Sequence, residues 1–142
     1  MKSLHSIRHS RGGTAAVELA LVLPVLVVLA LGCVDLGRAA ALDIAVSNAA
    51  RVAAGYGATH RFTNATLASW QTQVQQEAAT EMQSVRGFDN TQLSVSIQTA
   101  ADPSGVWRVT VTATYPFQTI TAWPGLPHDV TLRQSVTMRQ YQ

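Results

Sequence analysis

One cysteine, Cys33, stands in the whole chain, too few for an internal disulfide framework or a thiolate metal cluster. Charge is also scarce. Only 13% of the 142 residues are Asp, Glu, Lys or Arg, against roughly 25% in an average soluble domain, which excludes a disordered or supercharged chain. The net charge of +2 and the pI near 9.1 point at first to an anionic partner. Yet Lys2, Arg8 and Arg11 precede any acid, and from Asp35 onward seven Arg are matched by seven acids. The positive excess therefore belongs to the first dozen residues, and no basic surface is left to track nucleic-acid phosphates. A catalytic constellation is missing as well. His5, His9, His60 and His128 are scattered, and there is no Gly-rich phosphate loop, no paired catalytic carboxylates and no nucleophile elbow. The expectation is a chain that is not an enzyme and has no cofactor, metal or small-molecule substrate.

What the chain does have is one long apolar run. Leu19 to Val34 is 16 residues without a charge, all Ala, Val, Leu or Cys except Pro24 and Gly32. Extended back to Thr14, with Glu18 carried along, it reaches 21 residues, or about 31 Å of helix, which matches a hydrocarbon core of about 30 Å. A run apolar on every face needs lipid or a large protein around it. The expected division is a basic cytoplasmic leader over 1–13, a transmembrane helix over 14–35 and an extracytoplasmic domain over 36–142. The basic flank sets the N-terminus inside. Basic and apolar regions in that order also describe a cleavable secretory signal. Ala39-Ala40-Ala41 offers small residues for such a cut, and Gly32-Cys33 offers a lipoprotein site. Both alternatives leave Glu18 unexplained, because a carboxylate inside a membrane helix costs about 2.5 to 3.5 kcal/mol and marks a functional site by default. Glu18 either reaches water at the headgroup level or has a partner.

The run Arg11-Gly12-Gly13-Thr14-Ala15-Ala16-Val17-Glu18-Leu19, the Leu/Val stretch through Pro24, and Gly32-Cys33-Val34-Asp35-Leu36-Gly37-Arg38 resemble the TadE-like family. These are minor pseudopilins of the tight adherence (Flp-type) pilus system. The resemblance is specific over about residues 11–55. It implies removal of the leader by a prepilin peptidase after Gly13, with Thr14 as the new N-terminus and Glu18 as the fifth mature residue. Gly12 offers a second glycine, but only a cut after Gly13 makes Glu18 fifth. Leu19 departs from the aromatic residue that related pilins favour after the Glu. The resemblance further implies that the Thr14 amine of one subunit pairs with Glu18 of a neighbour. Each group is costly alone in low dielectric and attracts the other, so the pair would set axial register. Glycine before the cut lets an extended chain lie close to the peptidase. Pro24 removes one backbone donor in mid-span and is expected to kink the helix. The implied partners are the inner membrane, the prepilin peptidase, other pilins and pseudopilins, and an assembly platform with its ATPase. Cutting 13 of the 142 residues takes away three of the ten cations, which leaves seven against eight acids. The basic balance is thus an insertion and processing address.

Beyond Asp35 the helical pattern continues through an Ala-rich stretch to about Ala54, where Gly55-Tyr56-Gly57 reads as a stop. The rod so defined is about 60 Å long. Leu67, Trp70, Val74, Ala78, Met82 and Val85 recur at spacings of three and four, which predicts an amphipathic helix over 66–86, with Glu77 and Glu81 facing water and Gly87 ending it. Alternation then predicts three strands, over 93–99, 107–115 and 130–138, with Gln134 alone interrupting the last apolar face. Asp102-Pro103-Ser104-Gly105 is the hairpin turn. In the longer connection 116–129, Trp123 either packs over the sheet or meets another subunit. The fold class is α+β, similar to type IV pilins: a membrane-spanning helix that continues as a rod, a second helix, and a small antiparallel sheet. The different-class alternative is a secreted or lipid-anchored binding module with a conventional signal.

Overall fold

The computed structural model describes residues 11–140 apart from 102 and 104, with side chains from Gly13 onward. Lys2, His5, Arg8 and His9, and with them most of the expected leader, lie outside the described residues. Helix α1 spans Arg11–Thr59, 49 residues with Pro24 inside, or about 73 Å of continuous helix. Helix α2 spans Leu67–Met82. A 3-10 turn at Asn90–Gln92 leads into strands β1 (Ser94–Ala101), β2 (Trp107–Gln118) and β3 (Asp129–Arg139). The strands form an antiparallel meander in the order β1-β2-β3. This is the α+β architecture expected from the sequence.

The upper part of α1 is the pillar of the domain. Val46, Ala49, Ala50, Ala53 and Ala54 are fully buried and recur at the three-four spacing of one helix face. They meet Trp70, Val74, Ala78 and Met82 of α2 and Val109, Val111 and Ala113 of β2 in one core. The small side chains on α1 let sheet and helix approach closely. Closest of all is Gly57, where an added Cβ would lie 3.0 Å from Val109 Cγ1 and 3.1 Å from Trp70 Cζ2. This corrects the expected stop at Gly55-Tyr56-Gly57. Both glycines are helical, and Gly57 is there for close approach rather than for a turn. The helix ends two residues later, where Thr59 Oγ1 donates to the Gly55 carbonyl at 3.0 Å and the His60 amide to the Tyr56 carbonyl at 3.0 Å. Trp70 Nε1 and Gln140 Nε2 then both donate to the His60 carbonyl, at 2.8 and 2.9 Å.

Helix α2 is shorter than its apolar periodicity predicts. After Met82 the amides of Ser84, Val85 and Phe88 donate to carbonyls three residues back. The chain tightens into 3-10-like turns that keep Val85 against the core and end at Gly87, φ +79°. Glu77 and Glu81, expected in water, are half-buried. The Asp89 carboxyl is held below its usual range, chiefly by the Thr91 hydroxyl and then by the Thr91 amide, and so caps the turn before β1.

Strand β2 runs past its predicted end, through Pro116 to Gln118. Its pairing with β1 stops at Ser94↔Thr114, whereas that with β3 continues to Gln118↔Asp129. At Pro116, β2 is therefore an edge strand, the setting that tolerates a missing donor. The outer face carries a Thr/Ser ladder, with Thr110 and Thr137 hydroxyls 2.8 Å apart and Thr112 donating to Ser135 at 3.0 Å. On the inner face, Gln134 finds a partner on the rod, donating to Asp43 Oδ1 at 2.8 Å.

Candidate functional site

Two features distinguish this molecule from a self-contained domain: a bare helical stem, and a clamp where stem and domain meet. The stem is the first part of α1. Every residue from Gly13 to Leu31 is exposed, including Leu21 at 71% and Val25 at 58%. It is long and apolar enough to cross a membrane, and the rest of the protein buries none of its most apolar stretch. A soluble chain would bury such a surface, at about 25 cal/mol per Å² gained.

The site residues expected from the sequence all lie on this stem. Gly13 and Thr14 fall inside α1, which starts at Arg11, and nothing lies within 4 Å of where a Gly13 Cβ would be. Glu18 is exposed and has no partner among the described residues. Pro24 leaves α1 continuous, although it cannot donate to the Ala20 carbonyl. Thr14 and Glu18, four apart in α1, lie on one face of the helix, and the structure brings none of these residues against the domain. Cys33 is exposed and free. His60 stacks on Tyr56, ring centroids 3.9 Å apart, and His128 Nδ1 lies 2.9 Å from the Thr119 hydroxyl.

The clamp is built on Asp35, which in the sequence closes the apolar run and belongs to the motif Gly32-Cys33-Val34-Asp35-Leu36-Gly37-Arg38. Its side chain is buried and its two oxygens are fully engaged. Oδ1 accepts from the Ile120 amide at 2.9 Å and from Arg38 Nη1 at 3.2 Å. Oδ2 accepts from Trp123 Nε1 at 3.0 Å and from the Thr121 amide at 3.3 Å. Such charge-assisted bonds are stronger than neutral ones. Arg38, three residues on, also donates to the Gln118 carbonyl at 3.4 Å and lies over Phe117, 5.4 Å from the ring centroid. The β2–β3 connection is thus strapped to α1. The Trp123 ring packs against α1 at Gly32, 3.6 Å from where a Cβ would be, which is an ordinary contact distance. Of the two expectations for Trp123, it packs within its own chain, but against the rod rather than over the sheet. The only signals of this clamp in the sequence are an acid that closes an apolar run and a Trp in a Pro/Gly-rich loop, and 88 residues separate them.

Residues 13–55 match the family model described as TadE-like protein, the family that the N-terminal motif resembles. The match begins at Gly13, covers the whole stem and the clamp's Asp35 and Arg38, and ends within α1. No curated protein and no solved structure matches the chain.

Proposed function

Taking the TadE-like character of residues 13–55 as the premise, we propose that the chain is a minor pseudopilin of a tight adherence (Flp/type IVc) pilus. TadE-like character ties the chain to that pilus system and to the membrane. In the finer reading the leader 1–13 stays in the cytoplasm, the stem crosses the inner membrane, and the domain stands outside it. A prepilin peptidase cuts after Gly13. The stem then packs among other pilins and pseudopilins on an assembly platform whose ATPase supplies the energy. The chain is a structural subunit and not an enzyme.

One observation carries this reading. The family-matched stem is bare on every side, and its single carboxylate, Glu18, has no partner among the described residues. A surface of this kind suits lipid first and neighbouring helices afterwards. The Gly13–Thr14 bond is helical, whereas a peptidase takes an extended strand. Gly12 and Gly13 each lower the cost of unwinding that first turn by about 1 kcal/mol relative to Ala. The clamp speaks against a secretory cut after Ala41, which would discard Asp35 and Arg38 and leave the donors of Ile120, Thr121 and Trp123 without their acceptor.

The N-terminus of the mature protein tests the proposal. Thr14 is expected. Leu42 would establish a secretory signal instead, and a lipid-bearing Cys33 a lipoprotein; either result overturns the pseudopilin reading.

A further inference from the structure

The clamp fixes more than a loop. It sets the height of that loop along the stem. With Thr14 at the inner edge of the hydrocarbon core, Gly32 lies about 27 Å and Leu36 about 33 Å farther along the helix, on either side of the outer edge of a core about 30 Å thick. Trp123 sits on Gly32, and its N–H is held by Asp35, so its ring lies at that same level of the stem. The residues around it are apolar and unpartnered. Ile120 is 62% exposed, Leu126 67% and Leu36 73%. An apolar groove of about 450 Å³ runs between the stem and the loop, lined by Gly32, Leu36, Trp123, Leu126 and Pro127 among others. Three large aliphatic side chains at one level of the rod, continuous with a stem that is itself apolar, have no reason to face water.

We propose that the β2–β3 loop, residues 119–128, is a membrane foot: held at right height by Asp35, it rests Ile120, Trp123 and Leu126 in the outer headgroup layer of the membrane that the stem spans. The occupant of the patch is lipid. Trp suits this place because its ring is apolar and its N–H polar, and here the N–H is already satisfied within the protein. Unlike a lone interfacial Trp on a helix, this one is joined to the domain through β2 and β3. The foot therefore gives the domain a second support beside the stem and restrains its tilt on the membrane. The inference rests on the stem being the membrane anchor, and its test separates the two.

The full chain is reconstituted in phosphatidylcholine/phosphatidylglycerol vesicles whose lipids are brominated either near the glycerol backbone or near the chain ends. Trp107→Phe leaves Trp123 beside Trp70, which is buried in the core and out of reach of lipid. In that variant, backbone-proximal bromine should remove most of the Trp123 emission and chain-end bromine little of it. In parallel, Leu26→Trp in the Trp107→Phe, Trp123→Phe background reports the stem and should be quenched most by chain-end bromine. A quenched Leu26→Trp with an unquenched Trp123 overturns the foot and leaves the anchor standing. A blue-shifted but unquenched Trp123 also overturns it, in favour of a protein partner on the patch. If neither reporter is quenched, the anchor reading fails and the foot fails with it.

Discussion

Gly55 and Gly57 lie two residues apart in the same helix, and their surroundings give them opposite roles. At Gly55 an added methyl would find Met138 Sδ at 3.9 Å, an ordinary contact, whereas at Gly57 it would press on Val109 and Trp70 at 3.0 and 3.1 Å. Replacing a mid-helix Gly by Ala gains up to about 1 kcal/mol in helix propensity. Overpacking a closed core costs about 1 to 3 kcal/mol, and Val109 and Trp70 are too deeply buried to move aside. Gly55→Ala is therefore expected to stabilise the folded domain by up to about 1 kcal/mol, and Gly57→Ala to destabilise it by about 1 kcal/mol net. Denaturant unfolding of the detergent-solubilised protein reads both. Equal shifts in the two variants would show that Gly57 does not set the helix–sheet distance. In the sequence the two glycines flank Tyr56 as an ordinary stop signal, because propensity carries no information about a strand that arrives 50 residues later.

At the scale of elements, the unbroken apolar run revealed the stem, and periodicity the second helix and the three strands, but neither showed where tertiary contacts override local preference. Val85 stays in the core although α2 has already ended, so the apolar stripe outruns the helix. Pro116 reads as the end of a strand, yet β2 continues because β1 does not reach that far. The loop between β2 and β3 reads as a connector, and its attachment to α1 is invisible because Asp35 is separated from Ile120 by 85 residues. That attachment predicts a local effect. Asn at position 35 keeps one acceptor oxygen but presents an NH2 group to donors that a carboxylate oxygen accepts in the native chain. Asp35→Asn should therefore speed hydrogen exchange at the Ile120 and Thr121 amides while Val111, in the central strand, keeps its protection, as expected when one segment opens without global unfolding. Unchanged exchange at Ile120 and Thr121 would mean that the loop is held by Trp123 packing on Gly32 rather than by the carboxylate.

The whole molecule exposes 10362 Å² for 15.2 kDa, whereas a compact monomer of that mass exposes about 7,000 Å². The difference exceeds the roughly 1,200 to 2,000 Å² of a standard protein interface, and the bare stem from Gly13 to Leu31 contributes to it. In the proposed function this rod is covered first by lipid and then by other rods, and Glu18 connects the two settings. A carboxylate on a lone stem in lipid costs about 2.5 to 3.5 kcal/mol, so Glu18→Ala makes the stem easier to insert. The proposed cut after Gly13 lies five residues earlier, so cleavage should persist. In the proposed pseudopilin, the substitution removes the acceptor for the Thr14 amine of a neighbour, and with it the term that would oppose a slip of one helical turn, about 5.4 Å, between parallel apolar stems. In a strain carrying Glu18→Ala the processed subunit should accumulate in the membrane while surface pili are lost. A variant that is cleaved and still supports normal pili would show that the stems find their register from apolar packing alone.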